Sequence, residues 1–203
     1  MAAWCRLRPR RSKHVLRRSA TSPETRLHLL GITRTELVES YERYGVVSFD
    51  STSPFRQAFK DDRDNYYAPE RKYLAVRVMQ IDGNNRLKQR VLAGQLDQDQ
   101  GRRLEQASLE ALAAYDRDEC GVDTPLEALA AYDESLDEPD RRGEYWRTLH
   151  DQPWRSCLCG ICAEVGIQVV IFRGTERNKR RGFHNLFVFN QLLHKELTPT
   201  DAR

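Results

Sequence analysis

The chain has 203 residues, of which 31% are charged and 39% hydrophobic, and its net charge is +3. This length gives one domain, or one and a half, with enough apolar residues for a core. No apolar run approaches the about 20 residues that a membrane span needs, and the N-terminal region lacks the apolar segment of a secretory signal. We therefore expect a cytoplasmic protein without a membrane partner.

Charge is distributed unevenly along the chain. Residues 6–26 carry eight Arg or Lys side chains against a single acid, Glu24, and a second basic run occupies residues 173–181. Residues 95–144 are rich in Asp and Glu. Basic ends indicate a polyanionic partner, although a solvated tail and an exposed loop give the same pattern. Residues 1–25 show no periodicity, and we predict that they are disordered.

The next segment has the pattern of a strand, a helix and a second strand. Residues 27–32 form a short apolar run, Thr33 or Thr35 can cap a helix that continues to Tyr44, and residues 46–49 form another apolar run. Short connections between such elements are typical of a parallel α/β sheet or barrel.

A long polar segment follows, with a third predicted strand at residues 73–80 and helices over residues 86–150. The sequence LEALAAYD occurs twice here, at residues 109–116 and 126–133. One duplication is too little for a solenoid, so it predicts an antiparallel helical hairpin with Ala and Leu facing inward. The end of the chain predicts a strand at 166–172, a basic loop at 173–181 and a helix at 184–196.

Three cysteines indicate a metal site. Cys157, Cys159 and Cys162 lie within six residues, and His184 follows after a gap of 21 residues. Cysteine and histidine are the ligands that zinc favours, and four of them fill a structural site. Gly160 would permit a tight knuckle, with the fourth ligand coming from the start of the last helix. His150 and His194 are alternative fourth ligands, and buried free cysteines or a redox cluster are alternative interpretations. No H-x-E pair followed by P-C-x-x-C is present, so the expected Zn²⁺ is structural and not catalytic.

Asp50 directly follows the strand predicted at residues 46–49. The carboxyl ends of barrel strands carry the chemistry in α/β barrels, and a carboxylate there can act as a nucleophile. An Asp after a strand is also a common helix cap or turn residue. The position alone therefore leaves both interpretations open.

These motifs together resemble the tRNA-guanine transglycosylases. The run at 27–32, the segment GVVSFDSTSPFR at 45–56, the cysteine knuckle and the pair His184-Asn185 occur in the order of that family. The wording FDSTSPFRQAF and the long insertion look closer to the DNA-acting, DpdA-type branch, whose members place 7-deazaguanines in DNA. The resemblance implies the C-terminal part of a (β/α)₈ barrel of the TIM type with a helical insertion and a small zinc-binding subdomain.

The resemblance also implies roles for individual residues. Asp50 matches the nucleophile that attacks the ribosyl anomeric carbon, and Arg56 matches an arginine that contacts nucleic acid. Leu30 and Gly31 match positions beside the bound base. The three cysteines and His184 match the zinc ligands. We add Arg177, Lys179 and Arg180 of the basic run as expected contacts to the phosphate backbone.

Departures from the family pattern bear on the substrate and on completeness. Phe59 stands where the tRNA enzymes have a second arginine, and Ser51 replaces a cysteine, which favours DNA over tRNA as the partner. The resemblance covers residues 26–60 and 150–195, so the first six barrel strands, with the aspartate that serves as general acid and base, have no counterpart.

We therefore expect a disordered lead at 1–25, barrel strands at 26–80, a helical insertion at 81–150 and a zinc subdomain at 151–203. The expected activity is exchange of guanine or a 7-deazaguanine in nucleic acid, with a separate chain supplying the remaining strands. A zinc-stabilised nucleic-acid-binding fragment without catalysis is the alternative.

Overall fold

The fold is seen in a computed structural model that describes residues 26–31, 41, 44–60 and 63–197, together with the backbone of residues 4–6. Short strands and one short helix make up the described elements before residue 85, and helices dominate from there onward. The elements in chain order are β1 (Trp4–Arg6), β2 (Leu27–Leu30), β3 (Val46–Phe49), α1 (Ser53–Gln57), β4 (Tyr66–Tyr67), β5 (Lys72–Tyr73), β6 (Val76–Arg77), α2 (Asn85–Leu92), α3 (Gln98–Asp116), α4 (Asp123–Ser135), α5 (Arg142–Asp151), α6 (Gly160–Val165), a 3₁₀ turn (Gly166–Val170), β7 (Ile171–Phe172) and α7 (Gly174–Leu197).

The first three strands form a small parallel sheet in the order β1-β2-β3. Leu27 and Leu29 of β2 are buried against Tyr41, and Leu193 of α7 packs against the same cluster. The parallel pairing of β2 and β3 is the arrangement that the sequence predicts. The predicted helix between them lies largely outside the described residues.

Trp4–Arg6 pairs in parallel with β2; the rest of residues 1–25, predicted to be disordered, is outside the described part of the chain. One sequence prediction about a strand is wrong. The single strand predicted at 73–80 is two short strands instead. Its backbone is interrupted because Thr148 donates to the carbonyl of Leu74 (2.6 Å) and the N–H of Ala75 donates to the side chain of Asn65 (2.6 Å). These bonds take backbone groups that a continuous ladder would need.

The duplicated sequence forms the central helical pair. Leu112 and Leu129, at equivalent positions of the two copies, are buried in the main core. The Ser108 hydroxyl of α3 donates to the carbonyl of Ala128 in α4 (3.1 Å), which joins the two helices side by side. Because the two copies have the same spacing, their equivalent leucines lie on the inner face of a hairpin, as predicted.

The equivalent tyrosines of the repeat connect the hairpin to other elements. The Tyr115 hydroxyl donates to the carbonyl of Leu149 and the Tyr132 hydroxyl to that of Met79, both at 2.7 Å. The repeat therefore serves packing: it anchors α5 and the segment after β6 to one helical pair.

The last fifty residues correct two further predictions. The strand predicted at 166–172 is a 3₁₀ turn followed by the two-residue β7, which pairs in parallel with β6. The basic run predicted as a loop is the beginning of α7, which starts at Gly174 rather than near residue 184. The charges of this run suit an exposed helix face, where Glu176 and Lys179 pair at 2.8 Å one turn apart. Within the described residues, no helix is both long and apolar enough to cross a membrane.

Candidate functional site

Four side chains from distant parts of the sequence converge between α6 and α7. Cys157 and Cys159 precede α6, Cys162 lies within it, and His184 lies in the middle of α7. Their ligand atoms are all within 4.8 Å of one another. The Nδ1 atom of His184 is 3.6 Å from the sulfur of Cys157 and 3.4 Å from each of the other two sulfurs. Three thiols and one imidazole thus form a single cluster.

The geometry of the cluster fits zinc. A tetrahedral ion with Zn–S near 2.3 Å and Zn–N near 2.0–2.1 Å would separate the nitrogen from each sulfur by about 3.5 Å. The Nε2 atom of His184 is 2.7 Å from the carbonyl oxygen of Tyr67, which can only accept, so Nε2 carries the proton. The lone pair of Nδ1 therefore faces the sulfurs, and a backbone carbonyl fixes the tautomer in the manner usual for metal-binding histidines. These residues could hold one Zn²⁺.

Electrostatics within the cluster also favour a cation. Its hydrogen bond from Cys162 is the main cause that lowers the pKa of Cys157 to about 4. The same interaction, followed by burial, raises the pKa of Cys162. One thiolate thus forms easily and opposes ionisation of its neighbour. A divalent cation removes this opposition, because the thiolate is the form that binds metal.

Backbone amides support the sulfurs from the protein side. The N–H of Cys159 points to the sulfur of Cys157 at 3.5 Å, and the N–H of Cys162 to that of Cys159 at 3.3 Å. Cys159 is thereby the N-cap of α6. Gly160 is not needed for this turn, since its φ is not positive and a Cβ there would meet nothing within 4 Å.

The fourth ligand differs in position from the sequence expectation. His184 is fully buried within α7, ten residues after the helix begins, and not at its start. The two alternatives, His150 and His194, are exposed, and neither belongs to the cluster found among the described residues. His150 instead contacts Asp151 at 3.1 Å.

Sequence reasoning missed Tyr66 beside the cluster. Its ring stacks on His184 with centroids 4.2 Å apart, and its hydroxyl lies 3.5 Å from the sulfur of Cys162. Burial raises the pKa of Tyr66 above its ordinary value, so the hydroxyl stays protonated. It can then donate towards the sulfur. Nothing in the Tyr66-Tyr67 pair distinguishes it from ordinary core aromatics, so no sequence signal marks this role.

Asp50 lies at the carboxyl end of β3, beside the end of β2. Its Oδ1 atom accepts a hydrogen bond from the N–H of Gly31 at 2.8 Å, and its Oδ2 atom is 3.7 Å from Nε2 of His28. The side chain is 56% exposed. Gly31 has φ of +71°, a left-handed conformation that glycine adopts without strain and that turns its N–H to the carboxylate. The carboxylate is therefore oriented on one side and open on the other.

His28 was not among the predicted site residues. Its Nδ1 atom is 2.8 Å from the hydroxyl of Ser48, so the imidazole bridges Ser48 and Asp50. The only signal for it is one polar residue within the apolar run LHLL. Leu30, at the end of β2, is half-buried, and Arg56, in α1, is exposed.

The three predicted phosphate contacts lie on the first turns of α7. Lys179 and Arg180 are exposed, whereas Arg177 is half-buried. Burial, and then the charges of Arg173 and Arg180, lower the pKa of Arg177. Arg181, the last residue of the basic run, is fully buried and cannot face a nucleic acid.

Comparison with known proteins gives one informative result. The chain is 48% identical over 176 residues to the DNA-guanine transglycosylase of Salmonella montevideo, an alignment that covers 83% of this chain and 42% of the relative. The chain thus spans less than half the length of this curated relative. No family model matches the sequence. The similarity supports the transglycosylase family and extends well beyond the segments 26–60 and 150–195.

Proposed function

We propose that this chain is part of a guanine transglycosylase that exchanges a base in DNA, with Asp50 as the nucleophile. The observation that carries the proposal is the oriented and open carboxylate of Asp50 at a strand end, in a chain 48% identical to a protein named DNA-guanine transglycosylase. A carboxylate at the end of a parallel strand is a usual position for catalysis in α/β barrels.

The proposed reaction has two displacement steps at the anomeric carbon. An oxygen of Asp50 bonds to C1′ as the C1′–N9 bond of guanine breaks, and the leaving base takes a proton. The incoming base, guanine or a 7-deazaguanine, then attacks C1′ through its ring nitrogen and loses its proton, and the Asp50 carboxylate is released. Dividing one displacement into two is what a covalent nucleophile contributes.

Groups around Asp50 support its part in this chemistry. The N–H of Gly31 donates to Oδ1, which fixes the plane of the carboxylate. His28 lies against Oδ2, with Nε2 at 3.7 Å. Leu30 precedes Gly31 at the same strand end and would contact the bound base.

Zinc has a structural role in this proposal. Cys157, Cys159, Cys162 and His184 would fill all four tetrahedral positions of a bound Zn²⁺, which leaves none for water or substrate. When bound, the ion supplies a cross-link between the turn before α6 and the middle of α7.

DNA is the proposed substrate, and the support is twofold. The relative is named for DNA, and an alignment of 176 residues must include part of the helical segment 81–150, which the sequence associates with the DNA-acting branch. Arg56, Arg177, Lys179 and Arg180 would neutralise backbone phosphates and make the affinity depend on salt. The target base would leave the stack at a cost of a few kcal/mol.

The remaining barrel strands would come from a separate polypeptide or a further part of the protein. Parallel sheets are normally covered on both faces, yet Val47 in β3 is 61% exposed and β3 has an unpaired edge among the described residues. The unaligned 58% of the relative's length is of a size to supply that cover.

The test is base exchange in a reconstituted assembly. The chain would be combined with the segment of the Salmonella relative that lies outside the alignment, and incorporation of labelled guanine into DNA and into tRNA would be compared. We expect incorporation into DNA, and a covalent protein–DNA adduct when the incoming base is withheld. Asp50→Ala should abolish both signals and leave DNA binding unchanged.

An exposed aspartate elsewhere provides the matched control. Asp99→Ala in α3 should retain full exchange, because Asp99 is exposed and pairs with Arg102 on the solvent face. Exchange that survives Asp50→Ala would overturn the nucleophile assignment. DNA binding that depends on Lys179 and Arg180, without exchange in any combination, would establish the non-catalytic alternative.

A further inference from the structure

Three fully buried polar side chains hold the backbone of residues 53–60, the segment that follows Asp50 and is here called the arm. Buried carbonyl groups need donors, and each of these side chains provides one. The donor–acceptor pairs are Arg181 Nη2 to Ala58 O (2.6 Å), Asn185 Nδ2 to Pro54 O (3.1 Å) and Asn65 Nδ2 to Lys60 O (2.7 Å).

The arm cannot order itself. Its helix, α1, has five residues and no side-chain N-cap, and isolated helices shorter than about 12 residues are marginal in water. Its contacts with α7 are close: Phe55 meets the ring of Phe183 with centroids 5.2 Å apart, and a Cβ on Gly182 would lie 2.6 Å from the Phe55 ring. The conformation of the arm therefore depends on one turn of α7.

The same turn carries the metal ligand His184. The backbone of Tyr67 contacts both His184 and Asn185. Its carbonyl accepts from Nε2 of His184 at 2.7 Å, and its N–H donates to Oδ1 of Asn185 at 2.9 Å. Asn185 also donates to the carbonyl of Asn65 at 3.1 Å. Residues 181–185 thus contact the metal cluster on one side and the arm on the other.

We propose that Arg181 and Asn185 are positioning residues that couple the order of the arm to occupancy of the metal centre. A metal bound through His184 fixes the axial position and rotation of α7, and Arg181 and Asn185, within one turn of it, then meet the carbonyls of the arm. Without metal the three thiols no longer anchor this turn. The consequence for DNA rests on the proposed function, since Arg56 is on the arm.

Hydrogen exchange of the arm amides measures the coupling without nucleic acid or activity. The amides of residues 58, 59 and 60 are hydrogen-bonded within the arm, and that of residue 56 donates to the carbonyl of Thr52 just before it. In the zinc-loaded chain, Asn185→Ala should speed their exchange by about tenfold or more, with zinc content unchanged. Amides of the α3–α4 hairpin should keep their protection. Because coupling is reciprocal, the same variant should bind zinc more weakly in a competition with a chelator.

Asn190→Ala is the matched control, since Asn190 lies on the exposed face of the same helix. It should leave both arm exchange and zinc affinity at wild-type values. Removal of zinc from the wild-type chain should reproduce the effect of Asn185→Ala on the arm amides.

A second variant keeps the proposal testable if Asn185→Ala does not fold. Gly182→Ala removes no hydrogen bond and favours the helix, but its Cβ would collide with Phe55. It should speed exchange in the arm, whereas Gly143→Ala in α5, where a Cβ meets nothing within 4 Å, should not. Arm exchange unchanged in Gly182→Ala and in the zinc-free chain would overturn the coupling. Failure of base exchange in the reconstituted assembly would not overturn the coupling, because the hydrogen-exchange measurement contains neither nucleic acid nor a base.

Discussion

The region around the metal cluster and the three-stranded sheet differ in how many apolar side chains each of them buries. The first buries more than twenty apolar residues in one core, with β4–β7, the helices and two of the cysteines contributing. Among the described residues, the cluster beside the sheet buries Leu27, Leu29 and Tyr41, and Val47 of β3 is 61% exposed. The sheet nevertheless carries Asp50.

This difference indicates where the proposed ion and the proposed further strands would act. In the metal region, one ion would be held by the sulfur and nitrogen atoms of the four clustered side chains. In the proposed assembly, further strands would cover the sheet, because β3 has an unpaired edge and an exposed Val47 among the described residues. We infer that the metal region folds as a unit with zinc and that the sheet gains order upon association.

Removing a metal ligand should have the largest effect on stability. Binding of structural zinc contributes on the order of 10 kcal/mol to the folding of small zinc domains, so Cys162→Ser should abolish cooperative thermal unfolding of the metal region. Cys120→Ser is the control, since Cys120 is half-buried outside the cluster. A cooperative transition in Cys162→Ser at the wild-type temperature would contradict the inference that the metal region folds as a unit with zinc.

Leu129→Ala in the hairpin should be the next largest change. A fully buried leucine replaced by alanine costs about 2–5 kcal/mol in the free energy of unfolding. Leu92→Ala should cost less than about 0.5 kcal/mol, because Leu92 is 80% exposed. Denaturant titrations of the two variants measure the difference, and equal midpoints would show that the hairpin is not part of the cooperative core.

Each copy of the repeat ends in an aspartate, and the different surroundings of these two residues predict that the stability of the protein depends on pH. Asp116 accepts from Trp154 and from the N–H of Ile167, whereas the Oδ2 atom of Asp133 is buried without a hydrogen-bond partner among the described residues. Burial raises the pKa of Asp133 to about 6. The folded state thus binds this proton more tightly than the unfolded state does. The stabilisation is fully present below pH about 4 and is lost as pH rises to about 6, by about 1–3 kcal/mol.

Asp133→Asn should remove that slope and stabilise the protein above pH 6, because the neutral amide has no charge to bury. Urea titrations between pH 4 and 7 measure it. The same loss of stability between pH 4 and 7 in the variant and in the wild-type chain would refute the assignment to Asp133.

Val47→Asp should have the smallest effect on the isolated chain and the most specific effect on assembly. An exposed substitution changes stability by about 0.5 kcal/mol or less. If β3 is covered upon association, the charge should instead weaken binding of the complementary segment, as measured by calorimetry. The control is Glu144→Asp on the exposed face of α5. Ser48, the exposed neighbour of Val47, is less suitable as a control because it contacts His28.

The sequence predicted the clustering of the three cysteines with His184, the carboxylate beside a strand end, the parallel pairing of β2 and β3, and the helical hairpin. These features have local signatures: tight cysteine spacing, short apolar runs and an exact repeat. The same locality explains the prediction at residues 173–181, where a dense basic run was interpreted as a loop although Arg181 is buried.

The remaining features arise from contacts between distant residues. Arg181 is accommodated by the carbonyls of Ala58 and Ile171, and the break in the strand predicted at 73–80 arises from Thr148 and Asn65. Tyr66 and His28 acquire their surroundings in the same way, from His184 and Asp50. No periodicity within a segment encodes partners more than a hundred residues away, or on a neighbouring strand.

The most direct test of the account is the zinc content of the folded chain. Native mass spectrometry of protein purified without added metal should show about one zinc per chain, and Cys159→Ala should show none and lose the folded charge-state distribution. A folded wild-type chain that carries no zinc, and that neither gains mass nor stability when zinc is added, would contradict the metal centre and the coupling that depends on it.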